Sequence, residues 1–97
     1  MELHGYDEPV YIISVAADLL NVHPQTLRLY EREGLLEPQR TDANNRLYSL
    51  RDLDTVKEIR RLTREEGVNL AGVRIIISLQ REIRELREKS GEITQRP

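Results

Sequence analysis

The sequence predicts a mainly α-helical domain with one small β-hairpin between its second and third helices. Three observations predict it. Leu, Ile and Val recur at helical spacing through most of the chain. Residues suited to helix ends, namely Ser14, Pro24, Gly34, Ser49 and Asn69, stand at the borders of those runs. A turn-rich stretch, Thr41-Asp42-Ala43-Asn44-Asn45, separates two short segments of strand character.

Residues 1–10 are acidic, contain Pro9, and read as a flexible arm. Val10–Ile13 is a short apolar run that reads as a strand-like lead-in. Ser14 is suited to cap the first helix by accepting backbone N–H bonds, and Val15, Ala16, Leu19 and Leu20 supply its apolar face. That helix ends near Asn21, and Asn21-Val22-His23 forms a tight turn. Pro24 fits the first turn of the second helix, where its missing N–H costs nothing. This helix runs to about Glu33, and Gly34 suits a left-handed cap. Leu27 and Tyr30 face one side of it, and Gln25, Arg28, Leu29 and Arg32 lie on another. Two short helices joined by three residues suggest a helix-turn-helix, although a plain helical hairpin fits this piece equally well.

Glu37–Arg40 and Arg46–Tyr48 then form a hairpin with Asn44-Asn45 at its tip, because Asn tolerates positive φ. Pro38 confines the first strand to an edge. This hairpin stands where a wing would be. Ser49 and Asp52 make a near capping box for a third helix whose buried stripe is Leu53, Val56, Ile59 and Leu62. Asn69 caps a fourth helix from Leu70. Within it Ile76, Leu79, Ile83 and Leu86 form a two-heptad seam flanked by Gln80, Glu82, Arg87 and Lys89. Past Ser90-Gly91 the tail, 90–97, is polar. The expected organisation is an arm at 1–10, a helix-turn-helix domain with its wing at 11–68, a coiled-coil helix at 69–89 and the tail. The seam reaches beyond so small a core. It is therefore expected to join two copies as a homodimer, although a helix folded wholly onto its own domain is the alternative.

Composition bounds the function. The chain has no Cys, which removes disulfides, thiolate metal sites and thiol redox chemistry. His4 and His23 have no companion ligands, so neither a metal nor a cofactor is expected. The longest apolar run, Val73–Leu79, is interrupted by Arg74 and Ser78 and is far too short to span a membrane. The acidic start lacks the basic and apolar regions of a secretory signal, and a cytoplasmic location is expected. Net charge is −2, but the charges are unevenly spread. Residues 1–21 hold four acids and no Lys or Arg, whereas residues 22–64 hold nine basic and seven acidic groups. No Gly-rich phosphate loop or His–carboxylate pair suggests an enzyme.

Two strings carry a specific resemblance. TLRLYEREGLLEPQR at 26–40 and NRLYSLRDLDTVKEIRRL at 45–62 resemble the N-terminal domain of the MerR family. The pattern is a turn, a Thr-Leu-Arg-x-Tyr-Glu helix, Gly-Leu-Leu, a Pro-x-Arg strand, and an Arg-x-Tyr strand leading into a capped helix. The likeness spans roughly residues 11–88. Many relatives carry an aromatic residue where this chain has Leu29. Within the family, the stretch Glu66–Val73 is similar to the HspR branch, the heat-shock repressors. The resemblance implies a winged helix-turn-helix fold, double-stranded DNA carrying an inverted repeat as ligand, and the chaperone DnaK as co-repressor. Since no Cys and no effector domain follow the dimer helix, no small-molecule or metal signal is expected.

On this reading the second helix lies in the major groove. Gln25 suits an adenine edge, Thr26 a thymine methyl or a phosphate, and Arg28 guanine or phosphate. The plain alternatives are a solvated Gln25, a Thr26 that is only a local helix residue, and an Arg28 paired with Glu31. Tyr30 is expected to be half core and half phosphate contact. Arg40, Arg46 and Tyr48 of the wing are expected on the DNA backbone, which sets register without reading sequence. Arg60 is expected to reach phosphate, and Arg61 to be solvated. Ser14 places a helix N-terminus where it could meet a phosphate. A MerR-type activator, a recombination-directionality factor and a helical interaction module without DNA binding are the competing readings.

Overall fold

The computed structural model describes residues 5–90. His4 and the tail at 91–97 lie outside them. The elements run β1 (Tyr11–Ile12), α1 (Ile13–Leu20), α2 (Pro24–Arg32), β2 (Gln39–Arg40), β3 (Arg46–Tyr48), α3 (Leu50–Arg64) and α4 (Leu70–Lys89). This is the mainly α winged helix-turn-helix architecture that the pattern implies.

Local chemistry explains each junction. Asn21 closes α1 in the left-handed conformation at φ 56°, which Asn tolerates better than most residues. It does what the Gly of many such turns does. His23 caps α2, its Nδ1 accepting from the Gln25 N–H at 3.0 Å, and Pro24 occupies the first turn. Gly34 takes φ 77° directly after the cap residue Glu33. Asn44 takes φ 64° at the wing tip, and Thr41 and Asn45 close that turn through N–H···O bonds in both directions. Ser49 and Asp52 complete a reciprocal capping box. Asn69 caps α4 through the Gly72 N–H at 2.8 Å.

The sheet order is β1-β3-β2, all antiparallel, with Ile12 opposite Leu47 and Arg40 opposite Arg46. The lead-in is thus a strand, and Pro38 precedes an edge strand as the sequence requires. The core gathers Ala16 and Ala17 of α1, Leu27 and Tyr30 of α2, Leu35, Leu36, Tyr48, the α3 stripe Leu53, Val56, Ile59 and Leu62, and Val73 and Ile77 of α4.

Two expectations are corrected here. Ser14 does not cap α1: the cap position is Ile12, which offers no side-chain acceptor. Pairing of Ile12 with Leu47 holds it extended, so the helix starts at Ile13 and Ser14 falls within its first turn. The described part of the arm is also not free. Arg51 of α3 pairs with Asp7 and lies 4.7 Å from the Tyr6 ring centroid, and the Tyr6 hydroxyl donates to Asp54 at 2.6 Å. Tyr6 and Asp7 therefore lie against the start of α3, and the Val10 N–H donates to the Tyr48 carbonyl at 3.0 Å.

The fourth helix is only partly absorbed by the domain. Val73 and Ile77 are buried, and Ile76 leans on the core. Arg74 pairs with Glu33 at 2.7 Å, and the Arg81 guanidinium donates to the Leu35 carbonyl at 2.7 Å. Ile75, Leu79, Ile83 and Leu86 remain about half exposed. The exposed row is thus headed by Ile75, whereas Ile76, the first residue of the expected seam, is partly buried against the core.

Candidate nucleic-acid interface

Burial of Leu27 and Tyr30 rotates α2 so that Gln25 faces solvent, with Thr26 and Arg28 half-buried beside it. The Arg28 guanidinium donates to the Gln25 amide oxygen at 3.1 Å. The two side chains form one polar edge, in which Gln25 is exposed. The alternative Arg28–Glu31 pair does not form, because Glu31 is engaged by the wing. Its carboxylate accepts from Arg40 at 2.9 Å and from Arg46 Nε at 2.5 Å. Burial pushes the Glu31 carboxyl up, but Arg46 and Arg40 outweigh it and hold the group below the usual carboxylate range. A depressed folded-state value stabilises the fold above the unfolded value, and that stabilisation fades as pH falls through the folded one.

Between the start of α1, α2 and the wing tip lies a cleft of about 310 Å³, lined by Ile12, Ile13, Arg28, Asn44, Asn45 and Arg46. The first turn of α1, without a side-chain cap, opens beside it. Backbone N–H groups and two guanidiniums make this side of the molecule suited to phosphate. Ser14 is exposed in that first turn even though it is not the cap.

The other expected site residues are placed differently. Tyr48 is fully buried, and its hydroxyl has no hydrogen-bond partner among the described residues. It faces the core because it lies opposite Tyr11 in the centre of the sheet, and burial pushes its phenol up. It is not placed to touch a DNA backbone. Tyr48→Phe is therefore expected to leave DNA affinity unchanged and stability equal or up to about 1 kcal/mol higher, since an unsatisfied buried hydroxyl is removed. Thermal melts and a binding titration check both. Tyr30 is likewise buried, at 6% exposure, and belongs to the core more than to a surface.

Arg60 is half-buried on α3 and has no ion-pair partner among the described residues. It lines a groove with Leu19, Lys57 and Arg64. Arg61 is not simply solvated but paired with Glu58 at 3.0 Å and Glu66 at 3.2 Å. Among the described residues no group of three His, Asp or Glu side chains could hold a metal ion, and no helix is long and apolar enough to cross a membrane.

A short turn between two helices, a polar outward edge on the second, and an arginine-bearing hairpin beside it define a winged helix-turn-helix regulatory protein. Residues 11–80 match the family described as MerR HTH family regulatory protein, and the chain belongs to that family. Heat shock protein HspR of Streptomyces coelicolor is 47% identical over 87 residues, covering 90% of this chain and 58% of that protein. The chain thus spans less than two thirds of this relative. The transcriptional regulator GlnR of Bacillus cereus is 33% identical over 89 residues, covering 89% of this chain and 68% of that protein. Among solved structures, HiNmlR, a MerR family regulator lacking the sensor domain and bound to promoter DNA, shares the fold. It superposes with a TM-score of 0.66 over 84% of this chain and 67% of its own, at 24% identity. A MerR family regulator from Bacillus cereus superposes at 0.62, covering 88% of this chain and 72% of its own at 25% identity.

Proposed function

We propose that this protein is a sequence-specific transcriptional repressor of heat-shock and chaperone genes that binds an inverted-repeat operator as a homodimer. The observation that carries the reading is the joined Gln25–Arg28 edge on α2, set beside a wing that presents Arg40 and Arg46. The amide is suited to an adenine edge and the guanidinium to guanine or phosphate. The half-exposed row Ile75, Leu79, Ile83 and Leu86 supports pairing of two copies, and two copies supply the two reading helices that an inverted repeat needs. The likeness to HspR supports the heat-shock assignment and, with it, DnaK as co-repressor. On this reading the protein is a cytoplasmic regulator rather than an enzyme.

The test is fluorescence anisotropy with a duplex carrying an inverted repeat of the HspR type, a scrambled duplex as control, and a salt series. Arg40, Arg46 and Arg60 give three phosphate-holding groups per protomer and twice that in a dimer. Affinity for the repeat should then fall about a thousandfold between roughly 50 and 200 mM salt. Arg28→Ala should weaken binding to the repeat by about 1–3 kcal/mol, or roughly 5- to 150-fold, with a smaller change on the scrambled duplex. Equal binding to both duplexes by the wild-type chain would contradict the assignment. If a verified dimer binds neither duplex even with DnaK added, the chain is an interaction module instead.

A further inference from the structure

The wing contains an electrostatic conflict that the reading helix resolves. Arg40 and Arg46 stand directly opposite each other across β2 and β3. Two like charges in that position repel and would splay a two-residue strand pair. Glu31, on α2, places one carboxylate oxygen on each guanidinium, at 2.9 Å and 2.5 Å, and is itself only 21% exposed. Arg40 also donates to the Asn44 carbonyl at 3.3 Å, which ties the turn to the same group. The carboxylate occupies Nη2 of Arg40 and Nε of Arg46. Both Nη groups of Arg46 stay uncommitted among the described residues. The clasp therefore fixes where the arginines point without using up their donors.

Glu31 sits one helical turn from Arg28, on the helix that bears the reading edge. The wing's orientation is thereby locked to the orientation of Gln25 and Arg28. We infer that Glu31 is a specificity-determining positioning residue, which couples the wing's phosphate grip to the register of the reading helix. This rests on the DNA-binding reading above. With the clasp in place, the wing arginines meet phosphates only when the reading edge lies over its proper bases. Without it, the wing is a loose cationic hairpin that grips any duplex. Glu31 also offsets part of the wing's charge, which restrains binding to arbitrary sequence.

The experiment compares the full chain with Glu31→Gln, which keeps shape and one acceptor oxygen but removes the charge. The inverted-repeat duplex and the scrambled duplex are each titrated across a salt series. The preference for the repeat over the scrambled duplex should fall about tenfold or more, through tighter scrambled binding with a steeper salt slope. A uniform change on both duplexes, leaving the preference intact, would overturn the inference. A second readout needs no DNA: backbone 15N relaxation of residues 41–45 in the free protein. Wild-type values should match the helices, and Glu31→Gln should loosen this segment alone. An unchanged wing overturns the inference whatever the DNA arm shows. Wild-type failure to bind either duplex, with the wing loosening as expected, rejects the functional reading while leaving the clasp intact. Glu31→Asp, too short to reach both arginines, replaces Glu31→Gln if that variant does not fold.

Discussion

Ile83→Glu is expected to leave the domain folded, convert the dimer to a monomer and lower affinity for an inverted repeat by roughly two orders of magnitude or more, because one protomer holds only one half-site. Ile83 is 47% exposed and lies beyond the part of α4 that the core absorbs. Val73, Ile77, the Arg74–Glu33 pair and the Arg81–Leu35 bond hold that part without its help. Leu79, Ile83 and Leu86 are already about half withdrawn from water, so pairing gains each of them roughly half of the ~1.5–3 kcal/mol that full burial of an aliphatic side chain is worth. Doubled across two protomers, this is comparable with the roughly 4–15 kcal/mol lost in bringing two chains together. The margin is small enough that one carboxylate at the centre of the seam removes it. Sedimentation equilibrium and a titration on the same samples measure both effects. A variant that remains dimeric at the wild-type concentration would show that the seam lies elsewhere.

Leu27→Ala is expected to have the largest effect on the fold. Leu27 is fully buried on the core side of α2, the opposite face from Gln25 and Arg28. Its truncation should cost about 2–5 kcal/mol through lost burial and the cavity left behind. A domain of this size has about 5–15 kcal/mol of stability at best, and the lower end suits so small a core. At about 4–8 °C per kcal/mol the melting temperature should fall by roughly 8–40 °C. Thermal melting followed by circular dichroism measures it. At a temperature where the variant is still folded, DNA affinity should stay close to wild type, since the reading edge is untouched. A melting temperature within a few degrees of wild type would mean that α2 is not anchored through this residue.

Features encoded within a few residues of each other were legible in the sequence. The α3 stripe Leu53, Val56, Ile59 and Leu62 is buried as its spacing requires, and Ser49–Asp52 closes the box its spacing suggests. The wing tip at Asn44 follows from the tolerance of Asn for positive φ. The second helix, α2, was legible through Pro24, Gly34 and its two faces.

What stayed hidden depends on partners distant in the chain. Nothing near Asp7 or Tyr6 announces Arg51 or Asp54, more than forty residues away, so an acidic segment that lies against the start of α3 reads as a loose arm. Ser14 has the composition of a cap, but tertiary pairing of Ile12 with Leu47 moved the helix start ahead of it. Tyr48 reads as an amphipathic strand residue, and only the third strand, β1, makes it central and buried. Glu31 offered a local partner in Arg28, three residues away, yet the wing arginines won because two cations facing each other need an anion more than one cation already bonded to Gln25 does. Ile76 was legible as apolar but not as partly buried against the core, since the tilt of α4 on the domain decides between it and Ile75.

The proposed arrangement is two copies, joined through α4, that present two α2 edges to one face of a duplex. It is tested most directly by titrating the wild-type chain against an inverted-repeat duplex and against the same duplex with ~5 base pairs, about half a helical turn, inserted between the half-sites. A rigid dimer should bind the second duplex no better than a single half-site, and the stoichiometry on the first should be two chains per duplex. Equal affinity for both duplexes would contradict a dimer that reads two half-sites in fixed geometry.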